Sequence, residues 1–138
     1  MLKALFWRMN FFLKNRQSAK ISRQLGNGVK SVIVDSKNGI LAVDPRDLEV
    51  GYKLRNYGSY GLDELTRINK LITNKSNVLV VGAHIGSLVI PIANNCNKVV
   101  AIEANPNNFN LLKTNLHLSL IHISEPTRRR GMGVGGGG

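Results

Sequence analysis

Several common features are scarce or absent in this sequence. Cys96 is the single cysteine among 138 residues, which excludes an internal disulfide and a cysteine-based zinc site. No apolar run approaches the roughly 20 residues that a membrane-spanning helix needs. Arg8 interrupts the apolar N-terminal stretch, so a secretory signal peptide is not expected. We therefore predict a cytoplasmic protein that holds no metal ion.

Acidic residues are also few, with eight against 19 lysines and arginines, and the formal net charge is +11. The imbalance lies at the two ends of the chain. Residues 1–30 carry seven basic and no acidic residues, whereas residues 31–117 carry nine basic and seven acidic ones. Because the body is nearly neutral, this distribution argues against a nucleic-acid-binding face across the domain. We expect no nucleic acid partner and, from the length, at most one domain.

Residues 1–30 are predicted to form a basic amphipathic helical segment. Its apolar side chains recur at helical spacing along one stripe, at Leu2, Leu5, Phe6, Met9, Phe12 and Leu13. Two interpretations are open for this helix. It can pack on the rest of the protein, or residues 1–20 can make weak contact with an anionic membrane surface.

Residues 118–138 differ in character from the rest of the chain. The stretch LSLIHISEPTR, residues 118–128, resembles the translation of a transposase adapter used in sequencing libraries, and all eleven positions agree. We therefore expect an artefactual, disordered tail here, and a natural protein that continues beyond about His117. The alternative is a native basic, glycine-rich tail that is disordered.

The first part of the body is predicted to be a β-hairpin. Residues 31–34 and 40–43 are strand-like, and the residues between them favour a turn. The stretch LEVGYKLRNYGSYG, residues 48–61, is rich in glycine and tyrosine, and we interpret it as an irregular loop. The stretch LDELTRINKLI, which follows from residue 62, has the apolar spacing of a helix.

The second part of the body is predicted to be a parallel strand–helix–strand–helix unit. The apolar runs NVLVV, residues 77–81, and KVVAIEA, residues 98–104, are typical of parallel strands covered on both faces. A helix follows each strand, and Asn105 and Pro106 suit the cap and the first position of the second one. This order predicts an α/β fold with a right-handed crossover.

A turn that contains two glycines joins the first parallel strand to its helix, in the stretch VVGAHIGS. Gly82 permits a tight turn, and Gly86 lets the helix approach the strand closely. The middle glycine of a dinucleotide turn is missing, since Ala83 and His84 follow Gly82, and no lysine of a triphosphate loop follows Gly86. Glu103 comes 17 residues after Gly86, where a carboxylate can bind both hydroxyls of a ribose. A ribose site without a phosphate site fits S-adenosylmethionine.

The residues around this turn resemble the first two motifs of the FkbM-type S-adenosylmethionine-dependent methyltransferases. VLVVGAHIGSLVIPIA is similar to the family's D-V-G-A-N-I-G motif, with His84 in place of the asparagine and Val80 where the family usually has aspartate. VVAIEANPNNFNLLKTNLHL is similar to its second motif, an E-P-x-P-like segment that leads into F-x-x-L-x-x-N. The matching positions are Gly82, Ala83, Ile85, Gly86, Glu103, Pro106, Phe109, Leu112 and Asn115.

The resemblance covers about residues 57–117 and implies the start of a Rossmann-like class I methyltransferase domain there, truncated. The N-terminal helix and the hairpin with its loop over 31–56 are predicted from the residue pattern alone. The resemblance also implies S-adenosylmethionine as cofactor and a hydroxyl of a sugar or small metabolite as methyl acceptor. The candidate cofactor-binding residues are Gly82, Ala83, His84, Ile85, Gly86, Ser87, Glu103, Ala104 and Asn105. Ser87 can also cap the helix that follows it.

No catalytic residue is assigned, because the resemblance places the base on strands beyond residue 117. We accordingly expect the chain as it stands to be inactive. Two rival interpretations are open. One is a fragment of an NAD(P)-dependent Rossmann oxidoreductase, although the missing middle glycine counts against it. The other is a non-enzymatic membrane-surface or interaction module led by the basic N-terminus.

Overall fold

The computed structural model describes the backbone of residues 2–131 and the side chains of residue 3 and residues 6–119. Helices and strands follow in the order α1 (Leu2–Leu25), β1 (Val32–Ser36), β2 (Gly39–Val43), α2 (Val50–Tyr57), α3 (Leu62–Asn69), β3 (Asn77–Val81), α4 (Val89–Ala93), β4 (Lys98–Ile102) and α5 (Pro106–Gly131). No helix in this part of the chain is both long and apolar enough to cross a membrane.

The strands form two small sheets. Strands β1 and β2 pair as an antiparallel hairpin in which Val32 lies opposite Val43, and β3 and β4 pair in parallel with Asn77 opposite Lys98. The connection from β3 to β4 runs through α4, and α5 follows β4. This arrangement confirms the predicted α/β class and the truncated Rossmann-like unit.

Two adjoining apolar clusters hold the elements together. The larger one joins the hairpin, α2 and the turn after β3 through Leu41, Val43, Val50, Leu54, Ile85 and Ile90. The smaller one, built on Ala83, Val89 and Leu112, lies between one face of the parallel pair and α5. Leu116 packs against both clusters, so helix α5 connects them.

The parallel pair is covered on one face only, which corrects the expectation of two covered faces. Val78 and Val80 on β3 are partly buried, and so are Val99 and Ala101 on β4. The side chains that alternate with them are exposed, at Leu79, Val81, Val100 and Ile102. A continuous apolar run predicts two buried faces, but helices of the described chain pack on a single side of this sheet.

Helix α2 lies inside the segment interpreted as a loop, so that interpretation was wrong. The carboxylate of Asp47 accepts hydrogen bonds from the backbone N–H groups of Glu49 (2.8 Å) and Gly51 (2.9 Å), which supports the start of the helix. Val50 and Leu54, one turn apart, are buried in the larger cluster. Burial of this face outweighs the weak helix propensity of the glycine and tyrosines.

Helix α1 contacts the rest of the protein through its second half. The Tyr52 hydroxyl donates a hydrogen bond to the side chain of Gln17 (2.9 Å), and the Lys14 ammonium lies 3.7 Å from the carboxylate of Glu49. The predicted apolar stripe is not what packs, because Phe6, Met9, Phe12 and Leu13 are more than half exposed.

Helix α5 continues to Gly131, so the expectation of a disordered tail from residue 118 is wrong for residues 118–131. The backbone there simply extends the helix that begins at Pro106, and the sequence offers good helix formers such as leucine and arginine in this stretch. Residues 132–138 of the predicted tail lie outside the described part of the chain.

Candidate functional site

The turn after β3 contains three residues in the left-handed backbone region. Their φ angles are 81° at Gly82, 51° at His84 and 89° at Gly86. Histidine is one of the few side chains enriched in that region, although glycine is far more common. The backbone N–H groups of Gly82 and Ala83 both donate to the carbonyl of Ile102, at 2.9 and 3.0 Å, which holds the turn against the end of β4.

The two glycines serve different purposes. A Cβ added at Gly86 would come within 2.7 Å of the Cδ1 atom of Leu112, so the turn approaches helix α5 more closely than alanine allows. A Cβ added at Gly82 would meet no atom within 4 Å, so that side of the turn is open. The sequence predicted that Gly86 lets the helix after the turn approach the strand, whereas the closest contact at this glycine is with Leu112 on α5.

Glu103 joins the ends of the two parallel strands. One carboxylate oxygen accepts a hydrogen bond from the N–H of His84 (2.7 Å), and the other accepts one from the N–H of Asn105 (2.8 Å). These backbone donors, first Asn105 and then His84, lower the pKa of Glu103 below its ordinary value. Glu103 is therefore a carboxylate near neutral pH, partly open to solvent, with spare lone pairs that accept hydrogen bonds from hydroxyl groups.

Helix α5 begins directly beside this carboxylate. The Asn105 side-chain oxygen accepts hydrogen bonds from the N–H groups of Asn107 (2.9 Å) and Asn108 (3.3 Å), and Pro106 occupies the first helical position. The predicted cap is thus confirmed. Because Asn105 also donates its own N–H to Glu103, the cap fixes the acid relative to the helix.

Two buried asparagines hold the turn from the other side, and the sequence analysis missed this role for both. The Asn115 amide accepts from the N–H of Ala42 (2.6 Å) and donates to the carbonyls of Ala42 (3.0 Å) and Ile85 (2.8 Å). The Asn38 amide accepts from the N–H of Tyr60 (2.8 Å) and donates to the carbonyls of Tyr60 (2.7 Å) and Ser87 (2.9 Å).

Each asparagine therefore pairs with both backbone groups of one residue and with a carbonyl of the turn. Asn38 is 2% exposed and Asn115 is fully buried. Buried amides contribute to stability only when their hydrogen bonds are satisfied, as they are here. Asn115 stood out in sequence only as the last position of a motif, and Asn38 only as a hairpin turn residue.

The structure distributes the candidate cofactor-binding residues over two environments. Ala83, Ile85 and Ser87 are buried, so a molecule above the turn would meet their backbone atoms and not their side chains. His84 is partly buried and its Nδ1 atom has no hydrogen-bond partner among the described residues. Ala104 and Asn105 are exposed. The capping role expected for Ser87 is wrong, since Leu88 precedes α4 and no side chain caps that helix.

This donor set fits a nucleoside without phosphates. The ionised carboxylate of Glu103 suits a ribose, and the open side of Gly82 leaves room above the turn. The side chain of His84 stands where a dinucleotide turn has its middle glycine, which disfavours a pyrophosphate.

Comparisons with known proteins agree with this geometry. The family model described as the TRM5/TYW2 methyltransferase domain matches residues 46–125. A solved structure of aTrm5 in complex with tRNALeu is 26% identical, with a TM-score of 0.52, and the match covers 70% of this chain and 27% of that one. No curated protein sequence matches.

A second solved structure, PH0793 from Pyrococcus horikoshii, is named as a transferase. It is 23% identical over 67% of this chain and 33% of that one, and its TM-score of 0.48 is too low to support an argument. The chain thus spans about a quarter to a third of the length of these two proteins.

These findings correct two expectations. The family is TRM5/TYW2 and not FkbM. The sugar or small-metabolite acceptor was inferred from the FkbM resemblance, so that inference is withdrawn as well. The exclusion of nucleic acid was also wrong, since the similar aTrm5 structure is a complex with tRNALeu. Charge summed over sequence segments says nothing about where basic side chains meet in space, which is why it misled. The predicted cofactor stands, because S-adenosylmethionine is the cofactor of this family.

Proposed function

Since this chain belongs to the TRM5/TYW2 methyltransferase domain family, we propose that it forms part of an enzyme that transfers the methyl group of S-adenosylmethionine to tRNA. One observation carries the cofactor half of this proposal. The family match includes the whole turn from Gly82 to Gly86 together with Glu103, and the hydrogen bonds of Glu103 join these two parts into one site.

The candidate residues have distinct roles in this proposal. Glu103 accepts the ribose hydroxyls with the lone pairs that its two backbone donors leave free. The open space beside Gly82 leaves room for the nucleoside, and the backbone around His84 lies alongside it. When bound, S-adenosylmethionine supplies an activated methyl group, and the task of these residues is to hold it in line with the acceptor atom. The proposal assigns no base among the described residues.

The tRNA half of the proposal is supported by the similarity to the aTrm5–tRNALeu complex. The turn disfavours the rival interpretation as a nicotinamide-dependent oxidoreductase, because His84 stands where a dinucleotide turn has its middle glycine. A cytoplasmic location remains a prediction from the sequence.

Calorimetric titration of the chain with S-adenosylmethionine, and separately with NAD, tests the cofactor half. We expect S-adenosylmethionine to bind and Glu103→Gln to weaken it by about 10- to 100-fold, because charged hydrogen bonds are lost. Glu64→Gln, which changes an exposed acid on α3, is the matched control and should bind normally. Binding of NAD without S-adenosylmethionine would refute the cofactor assignment.

The acceptor half is tested with the protein expressed from its complete reading frame. Transfer of a tritiated methyl group from S-adenosylmethionine to an unmodified tRNA transcript should be detected, and Glu103→Gln should slow it. A protein that binds the cofactor yet labels no tRNA would show that the acceptor is wrong.

A further inference from the structure

Four adjoining surface cavities form a path from α1 to α5. The cavity along α1, about 690 Å³, shares Arg23 with a small one beside the loop after α1. That small cavity shares Arg46 with a third one of about 460 Å³, which the start of α5 lines. The third shares Asn110 and Thr114 with a fourth along α5. Because neighbouring cavities have lining residues in common, they adjoin one another along the surface, and we call this series of cavities the groove.

The groove is strongly basic. It is lined by six exposed basic side chains, which we call the basic track: Arg16, Lys20, Arg23, Lys30, Arg46 and Lys113. The acid that lines it is Asp44, which bonds the Nε–H of Arg46 (3.1 Å) and leaves the other guanidinium donors of that arginine available. Among the described side chains, no carboxylate pairs with the other five.

The other polar groups of the groove also suit a phosphodiester chain. Asn107 and Asn110 line the third cavity with side-chain amides of the kind that donate hydrogen bonds to phosphate and sugar oxygens. Asn107 lies two residues after Asn105, whose N–H is bonded to Glu103. A nucleic acid in the groove would therefore pass close to the proposed cofactor site.

We propose that the basic track binds the sugar–phosphate backbone of the tRNA substrate. This inference rests on the proposed function, and it specifies which surface of this chain positions the RNA. Basic residues that are far apart in sequence, on α1, on two loops and on α5, converge in the groove. Six phosphate contacts are enough for an affinity that falls steeply with salt, with a logarithmic slope of about −4 to −5.

The test compares two double variants of equal net charge. Lys20→Gln/Lys30→Gln removes two charges from the track. Lys75→Gln/Lys98→Gln removes two exposed charges, one just before β3 and one at the first residue of β4, at the opposite end of the parallel sheet from the turn. Binding of a fluorescein-labelled, unmodified tRNA transcript is measured by anisotropy across a KCl series. Circular dichroism checks that all proteins are folded.

We expect the track variant to bind about tenfold or more weakly and its salt slope to be smaller by about 1.5, with the control close to wild type. Equal weakening by both variants would mean that net charge alone attracts RNA, and would overturn the inference. Absence of tRNA binding by the wild-type chain would overturn it too.

A second measurement needs no variant. Acetylation of lysines, followed by mass spectrometry, should show that tRNA protects Lys20, Lys30 and Lys113 but not Lys75 and Lys98. The reverse pattern would place the RNA elsewhere. Neither experiment uses S-adenosylmethionine. The proposed role of the basic track can therefore be refuted while cofactor binding and tRNA methylation are still observed, so the two proposals are tested separately.

Discussion

Replacement of Gly86 by alanine tests the close packing of the turn on α5. The new Cβ would lie 2.7 Å from Cδ1 of the buried Leu112, in a backbone conformation with φ of 89° that disfavours any Cβ. The left-handed backbone costs about 1–2 kcal/mol, and overpacking a core costs about 1–3 kcal/mol. We therefore expect Gly86→Ala to lower the free energy of unfolding by roughly 2–5 kcal/mol, a large share of the stability of a small domain.

Gly82→Ala is the matched control for that variant. Its φ of 81° imposes a similar backbone cost, but its Cβ would meet no atom within 4 Å. We expect a loss of only about 1–2 kcal/mol. Urea unfolding followed by circular dichroism measures both, and the difference between them isolates the packing cost.

A double-mutant cycle sharpens the comparison. In a Leu112→Ala background the atom that Gly86→Ala would strike is gone, so the cost of Gly86→Ala should fall to that of Gly82→Ala. The reasoning is refuted if Gly86→Ala is no more destabilising than Gly82→Ala, or if its cost is unchanged when Leu112 is truncated.

Three further predictions concern the groups that hold the turn. Asn115→Leu should destabilise the protein by about 3 kcal/mol or more, since three buried backbone groups lose their partner; Asn110→Leu on the exposed face of α5 should change urea stability little. Asn38→Leu should destabilise the protein as much as Asn115→Leu. A loss of less than about 1 kcal/mol in the free energy of unfolding for either variant would contradict the conclusion that these two asparagines hold the turn. The pKa of Glu103 is lowered from 4.5, so its stabilising contribution is present above that pH and lost as the pH falls through the lower folded value. The Glu103→Gln variant should therefore lose less stability to urea than wild type between pH 7 and pH 3. Equal losses would argue against a stabilising contribution from the ionised Glu103.

Features that depend on neighbours in sequence could be predicted. The hairpin, the two parallel strands, the cap at Asn105 and the position of Glu103 at the end of the second parallel strand follow from turn residues, apolar runs and short hydrogen bonds, although β4 itself ends one residue earlier, at Ile102. The choice of cofactor also followed, because a turn without its middle glycine excludes pyrophosphate locally. The precise family did not, since short glycine motifs recur in many methyltransferases.

Helix α2 and the exposed sheet face show where local patterns failed. Residues 50–57 have weak helix propensity, and they are helical because Val50 and Leu54 find a buried place beside Leu41 and Val43. In the same way, an apolar strand requires a partner to cover it, and only the positions of the helices decide which face of β3 and β4 is covered.

The sequence by itself thus determined the order of strands, turn and acid from which the candidate site is built, because each of these depends on backbone geometry over a few residues. The tertiary structure alone decided which side chains hold and surround that site. Asn115 reaches Ala42, 73 residues away, and Asn38 reaches Ser87, 49 residues away. The six residues of the basic track come from separate elements, and their charges add up only because folding brings those elements to one groove.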